Sequence, residues 1–245
     1  MVPEAQKLYD LPTTHRNFGD NTGNIQQEPV LEDEFVFQDV VANPWACAIT
    51  QCMLGPEPTA RFYSANTAFP ATARQPVHVD VEFDFPQVPF AYCLNVNLVA
   101  TSPANGATEV WLGTHTDASK SLLGENGKVF PDVLEARRAT HPPLQPSLPK
   151  GALIIRDIRM WHAGMPNKTS DPRVMLVTVH FARWYNCRSH MVLPESAKGR
   201  LEWGGVVPVA EWVDEGYDYL QGAHDHDFTL LAESLATWVP RKKGI

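Results

Sequence analysis

The chain has 245 residues, 44% hydrophobic and 20% charged, with a formal net charge of −8. This is ordinary globular composition with enough apolar material for a sizeable core, and the acidic balance gives no global basic field for nucleic acid or anionic lipid. No stretch approaches the ~18 consecutive apolar residues that span a bilayer, and MVPEAQKLYD lacks the pattern of a signal peptide, so the expectation is a cytoplasmic protein with residues 1–245 as one domain.

Residues 1–33 are polar and irregular, punctuated by Pro3, Pro12, Gly19, Gly23 and Pro29, and read as an arm or lid. A helix is predicted from Asn43 to Leu54, with Asn43 as N-cap, Pro44 at N1 and Gly55 as the stop. Ala60–Thr67 alternates as a strand does. Val77–Phe85 alternates too: Val77, Val79, Val81, Phe83 and Phe85 share one parity, and His78, Asp80 and Glu82 the other. On a strand, residues i and i+2 share a face, so His78 and Asp80 can reach one ion while the valines fill a core layer. Further strands are predicted at Ala91–Ala100, Thr108–Gly113, Ala152–Asp157 and Val174–Phe181, and helices at Phe130–Thr140 and Phe228–Trp238. Many short strands, tight turns and few helices indicate a mainly β sandwich or open barrel. Cys47, Cys52, Cys93 and Cys187 form no C-x-x-C pair and read as buried free thiols in a reducing compartment.

The chemistry concentrates in His78, Asp80 and the distant His162. Two imidazoles and one carboxylate leave open positions on a six-coordinate metal, which suits non-haem Fe(II) handling O₂. Arg173, eleven residues after His162, carries a planar guanidinium that can pair a carboxylate bidentately. Singly, each has an ordinary explanation: H-x-D arises by chance, His162 could be a turn histidine and Arg173 a strand-end surface charge. Their order and context carry the weight. His224-Asp225-His226 is a second H-x-D, read as a solvated loop. His115 is read as a structural partner near the site, and His180 as structural or pocket-facing. Tyr63, Phe69, Phe130 and Trp184 are candidates for a pocket wall, and Arg137 and Arg138 are read as surface charges.

Four blocks carry a family resemblance. They are Gln75-Pro76-Val77-His78-Val79-Asp80; Asn105-Gly106-Ala107-Thr108 with Gly113-Thr114-His115; Lys150-Gly151-Ala152; and Trp161-His162-Ala163-Gly164 with Asn167 and Arg173. Together they resemble the phytanoyl-CoA dioxygenase family of Fe(II)/2-oxoglutarate oxygenases, and its fungal secondary-metabolite tailoring members in particular. The resemblance implies a double-stranded β-helix (jelly-roll, cupin-like) core at residues 54–181. It implies His78, Asp80 and His162 as iron ligands and Arg173 as the partner of the 2-oxoglutarate C5 carboxylate. Gln75, Thr108 and Asn66 would be further polar partners of 2-oxoglutarate. Fe(II), 2-oxoglutarate and O₂ are the implied cofactor and co-substrates, with a small, largely apolar metabolite as substrate and a homodimer as a plausible assembly. Two positions discriminate. Family halogenases replace the carboxylate that Asp80 supplies, so hydroxylation, desaturation or a related C–H oxidation is expected here. Gly164 stands where relatives often place Ser or Thr. The rival readings are a jelly-roll binding protein without turnover and a metal-dependent cupin-like isomerase or hydrolase; the latter leaves Arg173 without a task.

Overall fold

The computed structural model describes residues 2–11, 14, 16–82, 88–116, 119–220 and 226–231. Its strands are Asn24–Gln27 (β1), Thr59–Ala68 (β2), Ala91–Asn97 (β3), Glu109–Val110 (β4), Leu153–Asp157 (β5), His162–Ala163 (β6), Arg173–Phe181 (β7), Met191–Pro194 (β8), Val207–Pro208 (β9) and Ala210–Val213 (β10). The α-helices are Val2–Tyr9 (α1), Gln38–Val41 (α2), Pro44–Leu54 (α3) and Pro131–Thr140 (α4).

The main sheet runs β1-β2-β7-β3-β5, antiparallel throughout, with β9 added parallel to β2. Every residue of β7 is buried, as expected for a central strand covered on both faces. Alternation then sorts its side chains. Tyr63, Ala65 and Leu176 point outward under Val36, Met191 and Leu193. Tyr92 and Leu94 point outward under α3, against Ala46 and Leu54. Helix α3 begins as its sequence dictates: Asn43 Oδ1 accepts from Ala46 N at 3.1 Å, with Pro44 in the first turn.

The inner face is organised in cross-strand rows. Phe62, Val179, Cys93 and Arg156 form one row, and Ser64, Val177, Asn95 and Ile154 the next. Gln26, Asn66, Met175 and Asn97 form the third, followed by Asn24, Ala68 and Arg173. Opposite lies a second, smaller sheet. Strand β4 pairs β6, His78 bridges both His162 and Lys128, and Val110 bridges Leu144. Val77, Val129, Trp111 and Trp161 pack behind it. Two facing sheets with this connectivity are the jelly roll, and the space between them is the cavity that holds the candidate site.

Several expectations are corrected. Residues 1–33 are not irregular: they contain α1, whose Ala5 and Leu8 bury against Ile25 and Phe69, and β1, which extends the main sheet. Residues 77–82 form no continuous ladder strand. Pairing is confined to bridges at His78, because the chain bends at Asp80 and Val81 and its neighbour β6 has only two residues. Parity nonetheless holds there, with Val77 and Val79 buried. Phe83 and Phe85 lie outside the described residues. Of the expected helix at 228–238, Phe228–Leu231 is non-helical, held by Tyr185 Oη donating to Phe228 O and by Leu231 N donating to Asn186 O; the remainder lies outside the described residues. All four cysteines are free, but Cys52 is exposed rather than buried. No helix among the described residues is long and apolar enough to cross a membrane.

Candidate metal and co-substrate site

His78 and His162 are cross-strand neighbours in the small sheet, exchanging backbone hydrogen bonds of 3.0 Å in both directions. That register sets their rings 4.4 Å apart. Asp80, two residues on, returns to the same face. Its Oδ1 lies 3.2 Å from His162 Nε2 and 3.9 Å from His78 Nε2. One potential ligand atom from each residue lies within 4.8 Å of the others.

The other ring nitrogens fix the chemistry of this cluster. His78 Nδ1 lies 2.9 Å from Pro76 O and His162 Nδ1 lies 3.0 Å from Met160 O. A carbonyl only accepts, so each Nδ1 can carry the ring proton, which leaves each Nε2 lone pair for an ion beside Asp80. Arg156 Nη1 also approaches His162 Nδ1, at 3.2 Å. A guanidinium only donates, so His162 Nδ1 has both a donor and an acceptor beside it. Three ligand atoms thus converge on one point, an arrangement that a cation completes. The surroundings agree. Burial and the neighbouring His162 push the His78 pKa down to about 3, keeping it neutral. Burial alone would push the Asp80 carboxyl up, but His162 and Arg156 hold it well below the usual range.

Arg173 stands at the opposite end of the cavity floor, 2% exposed. Its Nη2 donates to Gly106 O at 3.2 Å and its Nη1 to Asn66 Oδ1 at 3.3 Å, while Nε is buried without a partner among the described residues. A buried guanidinium with a donor to spare fits an anionic carboxylate. Burial lowers its pKa only to about 10, so it stays charged at neutral pH. The motif blocks explain how it is held. Gly106 takes φ +78° and has no room for a Cβ, which would lie 2.6 Å from Met165 O. Asn167 donates to Ala68 O and Asp171 O and accepts from Thr169, fastening the loop that leads into β7.

The cavity measures about 960 Å³, and His78, Asp80, His162, Arg173, Gln75, Thr108 and Asn66 all line it. The structure thus brings together every site residue read from the sequence. Asn66 pairs reciprocally with Asn24, at 3.0 and 3.1 Å. Gln75 Oε1 accepts from Gly164 N at 2.8 Å. Other expectations divide. None of Tyr63, Phe69, Phe130 and Trp184 lines the cavity; parity gives that place to Phe62. His115 does not line it either. His180 points to the outer side, 2.9 Å from Thr50 Oγ1, and is structural. His224 and Asp225 lie outside the described residues, while His226 lines the cavity beside Phe62 and Phe228. Arg137 and Arg138 are more than surface charges: Arg137 donates to Leu112 O and Arg138 stacks on Trp111.

Residues 5–175 match the model of the phytanoyl-CoA dioxygenase (PhyH) family. The chain belongs to the phytanoyl-CoA dioxygenase family. Solved structures agree at the level of fold. One is EctD from S. alaskensis with 2-oxoglutarate and 5-hydroxyectoine (20% identity, TM-score 0.55, covering 74% of this chain and 66% of that one). EctD in its apoform matches over 90% of this chain and 79% of that one, at 17% identity and TM-score 0.52. The epimerase SnoN in complex with Fe³⁺, alpha ketoglutarate and nogalamycin RO matches at 17% identity and TM-score 0.51, covering 74% and 72%. This member of the family therefore spans 66% of the EctD chain solved with 2-oxoglutarate.

Sequence reading missed Arg156. It is 8% exposed, lines the cavity and donates from Nη2 to Asp80 Oδ2 at 2.8 Å. Its only signal was a cation on the cavity-facing parity of an apolar strand, Leu153-Ile154-Ile155-Arg156. Asn24 and Gln26 were missed because β1 was read as part of an arm.

Proposed function

We propose that this chain is an Fe(II)- and 2-oxoglutarate-dependent oxygenase that oxidises a C–H bond of a small metabolite, with residues 1–245 working as one unit. The observation that carries the reading is the convergence of a ligand atom from each of His78, His162 and Asp80 on one point, with the Arg173 guanidinium lining the same cavity. In this reading His78, Asp80 and His162 would hold the iron, a ligand set that suits non-haem Fe(II) chemistry with O₂. Arg173 binds the far carboxylate of 2-oxoglutarate, and Asn66, Gln75 and Thr108 orient it. Bound iron and 2-oxoglutarate supply, with O₂, the oxidising power; the protein supplies position and a dry site. Beyond the co-substrate, Phe62, Val79, Val179 and Phe228 offer apolar wall near Asp80, which supports a substrate with an apolar body. The keeping of a carboxylate at Asp80 supports oxygenation rather than halogenation, and secondary metabolism is the setting that the tailoring-enzyme resemblance suggests.

The test is anaerobic addition of Fe(II) and 2-oxoglutarate to the purified protein, followed by visible absorption. A weak metal-to-ligand charge-transfer band is expected, and it disappears in His162→Ala. A folded, iron-loaded protein that takes up 2-oxoglutarate without the band overturns the reading.

A further inference from the structure

The two oxygens of Asp80 have different surroundings. Oδ1 faces the imidazoles, 3.2 Å from His162 Nε2 and 3.9 Å from His78 Nε2. Oδ2 is turned away and already serves two donors: Arg156 Nη2 at 2.8 Å and the Cys93 thiol at 3.6 Å. Both donors stand in one row of the main sheet, paired residue to residue, so they form a rigid floor beneath the carboxylate. Arg156 is itself buried.

We infer that Arg156 is a positioning residue that occupies Asp80 Oδ2 and restricts this carboxylate to one-oxygen ligation. Resting on the iron and 2-oxoglutarate reading of the site, the argument is one of coordination number. Two imidazoles and a one-oxygen carboxylate leave three positions on a six-coordinate ion, enough for a chelating 2-oxo acid and O₂ together. A carboxylate free to use both oxygens takes a fourth position, and the two co-substrates then compete for what remains. Carboxylates readily bind hard cations in either way, so one-oxygen ligation has to be enforced, and outer-shell hydrogen bonds are the usual means. Arg156 also places a positive charge beside the metal. It therefore weakens cation binding by Coulomb repulsion while keeping the open positions open.

This gives opposite signs for two affinities. In Arg156→Met, the affinity for Co(II), used as the iron stand-in, is expected to hold or rise. The affinity of the Co(II)-loaded protein for 2-oxoglutarate is expected to fall on the order of 10–100-fold, the usual scale for outer-shell changes. Arg156→Lys, which keeps a donor and the charge, is expected to recover most of that loss. The ligation is read directly by infrared difference spectra of Co(II)-loaded protein labelled with ¹³C-aspartate. A wide separation of the two carboxylate stretches is expected in the wild type and a narrow one in Arg156→Met. A narrow separation in the wild type overturns the inference without any variant having to fold. So does a wide separation kept in Arg156→Met, or a parallel loss of Co(II) and 2-oxoglutarate. A wild-type protein that binds neither Co(II) nor 2-oxoglutarate instead overturns the underlying functional reading.

Discussion

Gln75 and Gly164 are joined twice. Gly164 N donates to Gln75 Oε1 at 2.8 Å, and Gln75 N donates to Gly164 O at 2.9 Å. A Cβ at position 164 would lie 2.7 Å from Gln75 Oε1, so the glycine is what lets the amide sit there. Gln75 thus fills the space that a Ser or Thr side chain would take. Gly164→Ser is expected to displace Gln75 and weaken 2-oxoglutarate binding. In Gly164→Ser/Gln75→Ala the displaced amide is gone, and the double variant is expected to lose less than the two single losses added together. A coupling energy of roughly 0.5–3 kcal/mol, typical of residues in contact, is the expected size. Titration of 2-oxoglutarate into the anaerobic, metal-loaded proteins measures it; strictly additive losses would show that the two positions act independently.

Arg173 is held by a turn that tolerates only glycine, which links co-substrate affinity to backbone geometry. Arg173→Lys keeps the charge but loses the fork that reaches Gly106 O and Asn66 Oδ1. A hydrogen bond to a charged group is worth roughly 1.5–3 kcal/mol, so 2-oxoglutarate affinity is expected to drop about 10- to 150-fold, with Co(II) affinity unchanged. Gly106→Ala must move the turn away from Met165 O, and such backbone strain costs roughly 1–3 kcal/mol. Urea denaturation reads the lost stability and isothermal titration the co-substrate. A Gly106→Ala protein with wild-type values in both would refute the link.

What the sequence made legible was what depends on local pattern. His78 and Asp80 could be placed on one face from parity alone, and that held even though the flanking residues form bridges rather than a ladder. Arg173, Gln75 and Thr108 were legible through motif blocks. Arg156 was not, because its partner Asp80 lies 76 residues away and no local rule distinguishes a buried, paired arginine from a strand-end charge. Tyr63 reads from the sequence as a wall residue, but adjacent strand aromatics point to opposite faces, and only the pairing with β7 shows that Phe62 is the one inside. Strand β1 escaped notice because its polar residues, Asn24 and Gln26, face a polar part of the cavity and so lack the apolar alternation that marks a strand.

The cluster of His78, Asp80 and His162 also has a consequence for folding stability. The unfolded chain does not hold these three ligands together, so a divalent ion that binds them stabilises the folded chain by mass action. At a free concentration of 100 times Kd the gain is about 2.7 kcal/mol. Thermal unfolding with excess Mn(II) is expected to shift upward in the wild type and not in His162→Ala. An equal shift in both would place the ion elsewhere on the protein.

His180 makes a separate prediction about acid. Its ring is buried on the outer side of the main sheet, with Nδ1 against Thr50 Oγ1 and Nε2 without a partner among the described residues. Burial lowers its pKa from 6.5 to about 3. The unfolded chain therefore takes up a proton near pH 6.5 that the folded chain refuses until near pH 3. Stability from this group is complete above pH 6.5 and is lost as the pH falls from there toward 3, at up to about 1.4 kcal/mol per pH unit. His78, also lowered to about 3, adds a loss of the same sign in the metal-free protein. Replacing His180 with Leu removes one of the two protons. The slope of unfolding free energy between pH 6 and 4, from urea denaturation of metal-free protein, is then expected to fall by about one proton's worth relative to the wild type. An unchanged slope would mean that His180 is protonated in the folded state.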